Sequence, residues 1–177
     1  MIKTAIGGIS CVGKDYLFDK IREKIINKII IPYNYIYYFH FSKNMKLQAK
    51  KENLEFKSEN FENLANLVLK DIQNTNLNLI INAHYTIPEY YEGKIKSFRK
   101  DNIYNYGINN YILVETDPYN IQERREKKFN KKHSIDSIIY ELNTERDRFY
   151  ELGGKKENIV INDNIEESQK KIIKYNK

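Results

Sequence analysis

The chain contains no tryptophan, one cysteine, three prolines and seven glycines among 177 residues. A lone cysteine, Cys11, excludes an internal disulfide and fits a reducing compartment, so a cytoplasmic location is expected. Scarce proline and glycine leave no stretch resembling a linker, and no internal repeat is found. A single domain spanning 1–177 is therefore expected, long enough to bury a substantial core. No apolar run approaches the roughly 20 residues that cross a bilayer, so no membrane partner is expected. Lys3 is followed by too few apolar residues for a signal peptide. The three histidines and Cys11 stand at no metal-ligand spacing, which argues against zinc. Nor do they assemble with a nucleophile and an orienting acid.

What is abundant is charge. Lys and Arg number 30 against 24 Asp and Glu, giving a net charge of +6 and an isoelectric point near 9.1. With 41% hydrophobic and 31% charged residues, the composition is that of a soluble globular protein. The positive balance suits anionic ligands, but it is too evenly spread to single out nucleic acid.

The most informative stretch is Gly8-Ile9-Ser10-Cys11-Val12-Gly13-Lys14-Asp15, a Gly-x-x-x-x-Gly-Lys phosphate-binding loop with Asp15 where Ser or Thr is usual. It follows a short strand-like run, Lys3-Thr4-Ala5-Ile6, and precedes an amphipathic segment, the context such a loop requires. The glycines permit dihedrals and close approach that a Cβ forbids. Successive N–H groups can then converge on phosphate oxygens at the positive end of a helix dipole. Lys14 adds a compact charge for the outer phosphates. Asp15 offers a hard oxygen ligand for Mg²⁺ in place of the usual hydroxyl. Cys11 lies where oxidation or alkylation would block the loop.

Apolar spacing predicts the elements around it. Tyr16, Leu17, Ile21, Ile25 and Ile29 recur at helical intervals. Residues 35–41 read as a second strand, and Phe61, Leu64, Leu67, Val68 and Ile72 as a helix. Leu79–Ile81, Tyr111–Val114 and Ile159–Ile161 read as further strands. Asp117 before Pro118 marks a helix start. Ile135, Ile138, Ile139, Leu142 and Phe149 mark a long helix. A last helix is expected over 162–174, capped by Asp163 with Glu166. Apolar strands separated by helices predict an α/β fold: a parallel sheet of about five strands, helices on both faces, and the first strand central.

Three further features could touch a ligand. Arg124, Lys128 and Lys131 share one helical face, and Arg125 and Lys132 the adjacent one. Adjacent arginines suit a transferring phosphoryl group because guanidinium donates in bidentate fashion. Arg146, spaced from Leu142 and Phe149, is read on the apolar face, where it needs either a phosphate or a carboxylate such as Glu115. Arg148 is read as solvated. His84 follows the third strand, where open α/β sheets bind ligands; a hydrogen-bonded loop histidine is the plainer alternative. The run 124–134 is dense in like charge. It is expected to be mobile without ligand, with Arg124 or Arg125 turned from the Lys14 loop, and to order over the site as a lid when polyphosphate supplies the counter-charge.

Taken together, the chain resembles the archaeal-type adenylate kinases and, more broadly, the small P-loop nucleoside monophosphate kinases. The resemblance rests on Phe41-Ser42-Lys43-Asn44-Met45, on Leu79 to Ile87 with its Asn82-Ala83-His84-Tyr85-Thr86-Ile87, and on Ile112-Leu113-Val114-Glu115-Thr116-Asp117-Pro118 followed by Ile121 and Glu123-Arg124-Arg125. Asn82 stands where the family has an acidic residue, Glu55-Phe56-Lys57-Ser58 lacks the family's arginine, and Asp15 replaces the loop hydroxyl. The resemblance implies a P-loop NTPase fold with ATP and Mg²⁺ as cofactors. It implies an acceptor region over about 41–73, and Arg124, Arg125 and Arg146 neutralising the moving phosphoryl group. Lys43, Lys57 and His84 would serve the acceptor, with Lys43 or Lys57 replacing the missing arginine.

The expected function is a phosphotransferase carrying the γ-phosphoryl group of ATP to a nucleoside monophosphate or similar small phosphorylated acceptor. An ATP-binding assembly or RNA-associated protein with weak ATPase activity, and a polynucleotide 5′-kinase, are the alternatives. Nucleic acid is thus the less favoured partner, and the oligomeric state is left open.

Overall fold

The computed structural model describes residues 1–26, 36–89, 94–97, 107–162 and 165–174. Ile29, Tyr35 and Asp163, singled out above, lie outside them. Strand β1 (Lys3–Gly7) is wholly buried and lies at the centre of a five-stranded sheet. Its neighbours are β3 (Asn78–Asn82) and β6 (Asn110–Glu115), flanked in turn by β2 (Ile36–His40) and β7 (Ile159–Ile161). Every pairing in this sheet is parallel. Strand ends therefore gather along one edge, where His40, Gly7, Asn82 and Glu115 close their strands. In open α/β sheets ligands bind at that edge.

The helices are α1 (Lys14–Ile26), α2 (Phe41–Lys51), α3 (Phe61–Asn74), α4 (Pro118–Phe129), α5 (Ile135–Glu151) and α6 (Ile165–Lys174). Two apolar clusters form on opposite faces of the sheet because strand side chains alternate. Tyr111 and Leu113 join Met45, Val68 and Ile72 of α2 and α3. Ile112 and Val114 join Leu17, Phe18, Ile21 and Ile172 of α1 and α6. Helix α5 serves both, giving Ile138 and Leu142 to the second and Phe149 to the first. Lys3 is buried, and its Nζ donates to the Ile72 and Gln73 carbonyls at 2.6 and 3.2 Å. A strand cation thereby caps the last carbonyls of α3.

Local differences from the periodic reading have simple causes. Phe41 opens α2 rather than ending β2. Tyr16 and Ile139 point to solvent, a helical step away from the buried stripes of Leu17 and Ile21 and of Ile138 and Leu142. Arg148, expected in solvent, is buried and donates to Glu151 at 2.8 Å. A two-stranded antiparallel pair, β4 (Thr86–Glu89) and β5 (Lys94–Ser97), was not expected. Its strands are short, and Pro88 with the lysines masks any apolar alternation.

Candidate phosphate-binding site

The loop from Gly8 to Gly13 joins β1 directly to α1. Its chain direction depends on three left-handed φ angles: 146° at Gly8, 71° at Cys11 and 88° at Gly13. A Cβ on Gly8 would stand 2.6 Å from the Val114 carbonyl oxygen, and one on Gly13 would stand 2.4 Å from Asn162 Nδ2. Three consecutive loop carbonyls take donors from outside. Ser10 O accepts from Arg125 at 3.4 Å, Cys11 O from Arg124 at 3.2 Å and Val12 O from Asn162 at 2.9 Å. In a trans peptide the N–H points opposite to the C=O. The N–H groups of Cys11, Val12 and Gly13 therefore face away from these donors, the polarity an anion-binding loop needs.

Lys14, the first residue of α1, is buried, and its Nζ donates to Asn82 Oδ1 at 2.7 Å. Burial lowers its pKa, opposed by the carboxylates of Asp15 and Glu145. Because an ammonium only donates, this contact fixes the Asn82 amide. Its Nδ2 then donates to Asp15 Oδ1 at 2.7 Å and lies 3.3 Å from His40 Nδ1. The network assigns the His40 proton to Nε2, which lies 4.0 Å from Asp19. Partial burial raises the Asp15 pKa, but Lys14 and the Asn82 amide outweigh it, so the carboxyl lies below its ordinary range. Its side chain is 76% exposed and 3.9 Å from Lys14 Nζ. Asp15 thus stands ionised and open beside the loop, fit to hold a divalent cation.

His84 hydrogen-bonds the Gly8 backbone, and burial, then Lys14, push its pKa down to about 3. It also lines a narrow apolar cavity with Phe41, Leu69, Ile81 and Tyr111. Lys43 is exposed on α2, and its charge reaches His40. Lys57 is exposed and pairs with Glu55.

The arginines differ most from expectation. Neither Arg124 nor Arg125 turns from the loop: both donate to its carbonyls. Arg125 is fully buried and holds Glu141 through two bonds of 2.8 and 2.7 Å. Helix α4 continues to Phe129, where Asn130 caps it at a φ of 50°. Glu141 and the loop carbonyls supply the counter-charge that the sequence reading assigned to polyphosphate. Arg146 pairs with Glu115 at 2.7 and 2.9 Å, the carboxylate alternative. Strand alternation puts Glu115 on the Tyr111 and Leu113 face, away from α1. The pair lines an open cleft of about 350 Å³ with Asp117, Asn143 and Ile161.

Sequence reasoning missed Asn162, Tyr85 and Glu145. Asn162 gave only the signal of following the last strand. The signal for Glu145 was available: with Ile138, Leu142 and Phe149 it continues one buried stripe, while Arg146 sits about 100° round the helix. Glu145 is buried and accepts from three backbone N–H groups: Gly8 at 3.0 Å, Tyr85 at 2.8 Å and Thr86 at 2.8 Å.

No protein-family model matches the chain, and no curated protein does. Solved structures do. A shikimate kinase from Bacteroides thetaiotaomicron aligns with a TM-score of 0.61 at 12% identity, covering 98% of this chain and 97% of its own. The Deinococcus radiodurans tunicamycin resistance protein gives 0.62 at 14%, covering 98% and 94%. A gluconokinase from Sinorhizobium meliloti 1021 gives 0.59 at 10%, covering 99% and 91%. At such identities the likeness is one of fold. With its central β1, its Gly8–Lys14 loop and its parallel sheet, the chain has the α/β P-loop fold that the similar kinases share.

Proposed function

We propose that this chain is an ATP-dependent phosphotransferase acting on a small molecule, a nucleoside monophosphate or similar phosphorylated acceptor being the first class to test. One observation carries the reading: the loop is already wrapped for an anion, its carbonyls held outward and Lys14 buried beside it at the head of α1. The structural neighbours named as kinases lend support through fold. In the proposed reaction the loop N–H groups and Lys14 hold the β- and γ-phosphates. Asp15 holds Mg²⁺, directly or through water, since that ion is commonly bound by one or two carboxylates together with substrate phosphates. When bound, Mg²⁺ supplies charge neutralisation at the phosphates. Arg124, exposed next to Cys11 and Gly13, serves the transferring group once it releases the Cys11 carbonyl and swings to the N–H side of the loop, and Arg125 shapes the loop from behind. Arg146 joins them only by giving up Glu115. His40, Asn82 and His84 face the side from which an acceptor approaches, with Lys43 and Lys57 the candidate cations for an acceptor phosphate. An acceptor that is already an anion needs no general base, so positioning and charge carry the rate.

The test is a panel of mono- and deoxymononucleotides, small hydroxylated metabolites and 5′-hydroxyl oligonucleotides, each incubated with ATP and Mg²⁺. Phosphorylated product from a mononucleotide supports the leading reading. Product only from a hydroxyl compound or an oligonucleotide reassigns the acceptor. No acceleration of ATP consumption by any of them, with salt-dependent binding of RNA, favours the RNA-associated alternative.

A further inference from the structure

We infer that Glu145 is a positioning residue that sets the shape of the phosphate loop and ties it to the turn carrying Asn82 and His84. The inference rests on the reading of Gly8–Lys14 as a polyphosphate site. A buried carboxylate is costly unless its lone pairs are filled, and those of Glu145 are filled from two loops. Oε1 accepts from Gly8 N at 3.0 Å and Tyr85 N at 2.8 Å. Oε2 accepts from Thr86 N at 2.8 Å and from the Thr86 hydroxyl. Three of these four partners are backbone N–H groups, which can only donate, so the pocket is built around an acceptor. Burial pushes the Glu145 pKa up, and these bonds together with Lys14 oppose it.

The two loops are the two walls of the proposed site. Gly8 opens the phosphate loop, while Tyr85 and Thr86 directly follow Asn82 and His84, which hold Lys14 and the Gly8 backbone. Tyr85 adds a wedge from below. A Cβ on Gly7 would lie 2.2 Å from its ring, and its hydroxyl lies 2.8 and 2.7 Å from the Ala5 and Ile112 carbonyls. One turn earlier on α5, Glu141 fixes Arg125, the donor to Ser10 O. A single helix face therefore grips the first half of the loop at two points, at Gly8 directly and at Ser10 through an arginine. A loop held this way is ordered before a ligand arrives, so binding does not bear that ordering cost.

Glu145→Gln retains size but, whichever way its amide is turned, sets an N–H donor against at least one backbone N–H that can only donate. Calorimetry measures the affinity of wild type and variant for Mg·ATP and for inorganic tripolyphosphate, with thermal melting recorded on the same samples. Both ligands are expected to bind about tenfold more weakly, the equivalent of losing one hydrogen bond to a charged group. An equal loss for tripolyphosphate places the effect at the phosphates. Thr86→Val removes only the hydroxyl donor and is expected to shift affinity the same way by less; it carries the test if Glu145→Gln does not fold. Ile72→Val, in the core of α3, controls for stability alone and is expected to lower melting without changing affinity. Folded Glu145 and Thr86 variants that bind tripolyphosphate as wild type does overturn the inference and leave the phosphotransferase reading intact. A wild-type chain that binds neither ligand overturns both.

Discussion

Lys14 and His84 show how single residues here trade solvation for position. Lys14 has left water for one amide oxygen and the field of two carboxylates, an arrangement that a phosphate would complete in the proposed reaction. Lys14→Ala is expected to abolish nearly all ATP turnover while the melting temperature changes little, measured by product formation and circular dichroism. Retained turnover would remove Lys14 from the site. His84 is held neutral in the fold, with a pKa near 3 against an ordinary 6.5. As pH falls through 6.5 the unfolded chain takes up a proton that the folded chain does not, so stability falls with it. His40, whose pKa burial also lowers, acts in the same direction. Glu145, with a raised pKa, acts oppositely: its contribution is lost as pH rises from the ordinary carboxyl range near 4.5 through its folded pKa. From pH 7 to 5 the melting temperature of His84→Gln is expected to fall less than that of wild type, because the variant lacks the proton uptake confined to the unfolded chain.

At the scale of elements, α4 and α5 act as a brace for the loop. The Arg125–Glu141 pair is almost completely removed from water, with side chains 1% and 14% exposed. Removing one partner of a buried pair strands the other, at a typical cost of about 3–5 kcal/mol. Arg125→Ala is expected to destabilise by about that much in urea unfolding, and Arg125→Met by less, since it refills the volume. Both variants lose the donor to Ser10 O, so both should weaken Mg·ATP binding even where Met restores stability. Full affinity in Arg125→Met would mean that the brace serves only folding. The helix starts were readable beforehand: Asp117 before Pro118 caps α4, accepting from Tyr119 N at 2.8 Å. The partners of the arginines were not. A basic run in sequence carries no record of which carboxylate a neighbouring helix will bring to it.

At the scale of the molecule, a net charge of +6 suits an anion bound at the edge where the five parallel strands end. If the site binds Mg·ATP, a ligand at a hundred times its dissociation constant adds about 2.7 kcal/mol of stability. For a chain of this size that raises the melting temperature by roughly 5–10 °C. The shift should appear with Mg·ATP and vanish in Lys14→Ala. An unchanged melting point in the wild type would argue that no nucleotide binds.

The fold was legible because its signals are local. Short apolar runs such as Leu79–Ile81 and Ile159–Ile161, too short for helices and rich in β-branched residues, read as strands of a covered sheet, and stripes at helical spacing supply the cover. The Gly8–Lys14 loop was legible for the same reason, its glycines and lysine acting through their own backbone. What sequence left open was every choice that depends on two distant segments meeting. Asn82, noted only as a departure, became the group that orients Lys14, Asp15 and His40. Arg146 and Glu145, one residue apart, went to different faces: one to Glu115 at an open cleft, the other to the backbone of the phosphate loop. A helical step of about 100° separates those fates. Only the packing of α5 across the sheet edge decides which of the two side chains is turned inward.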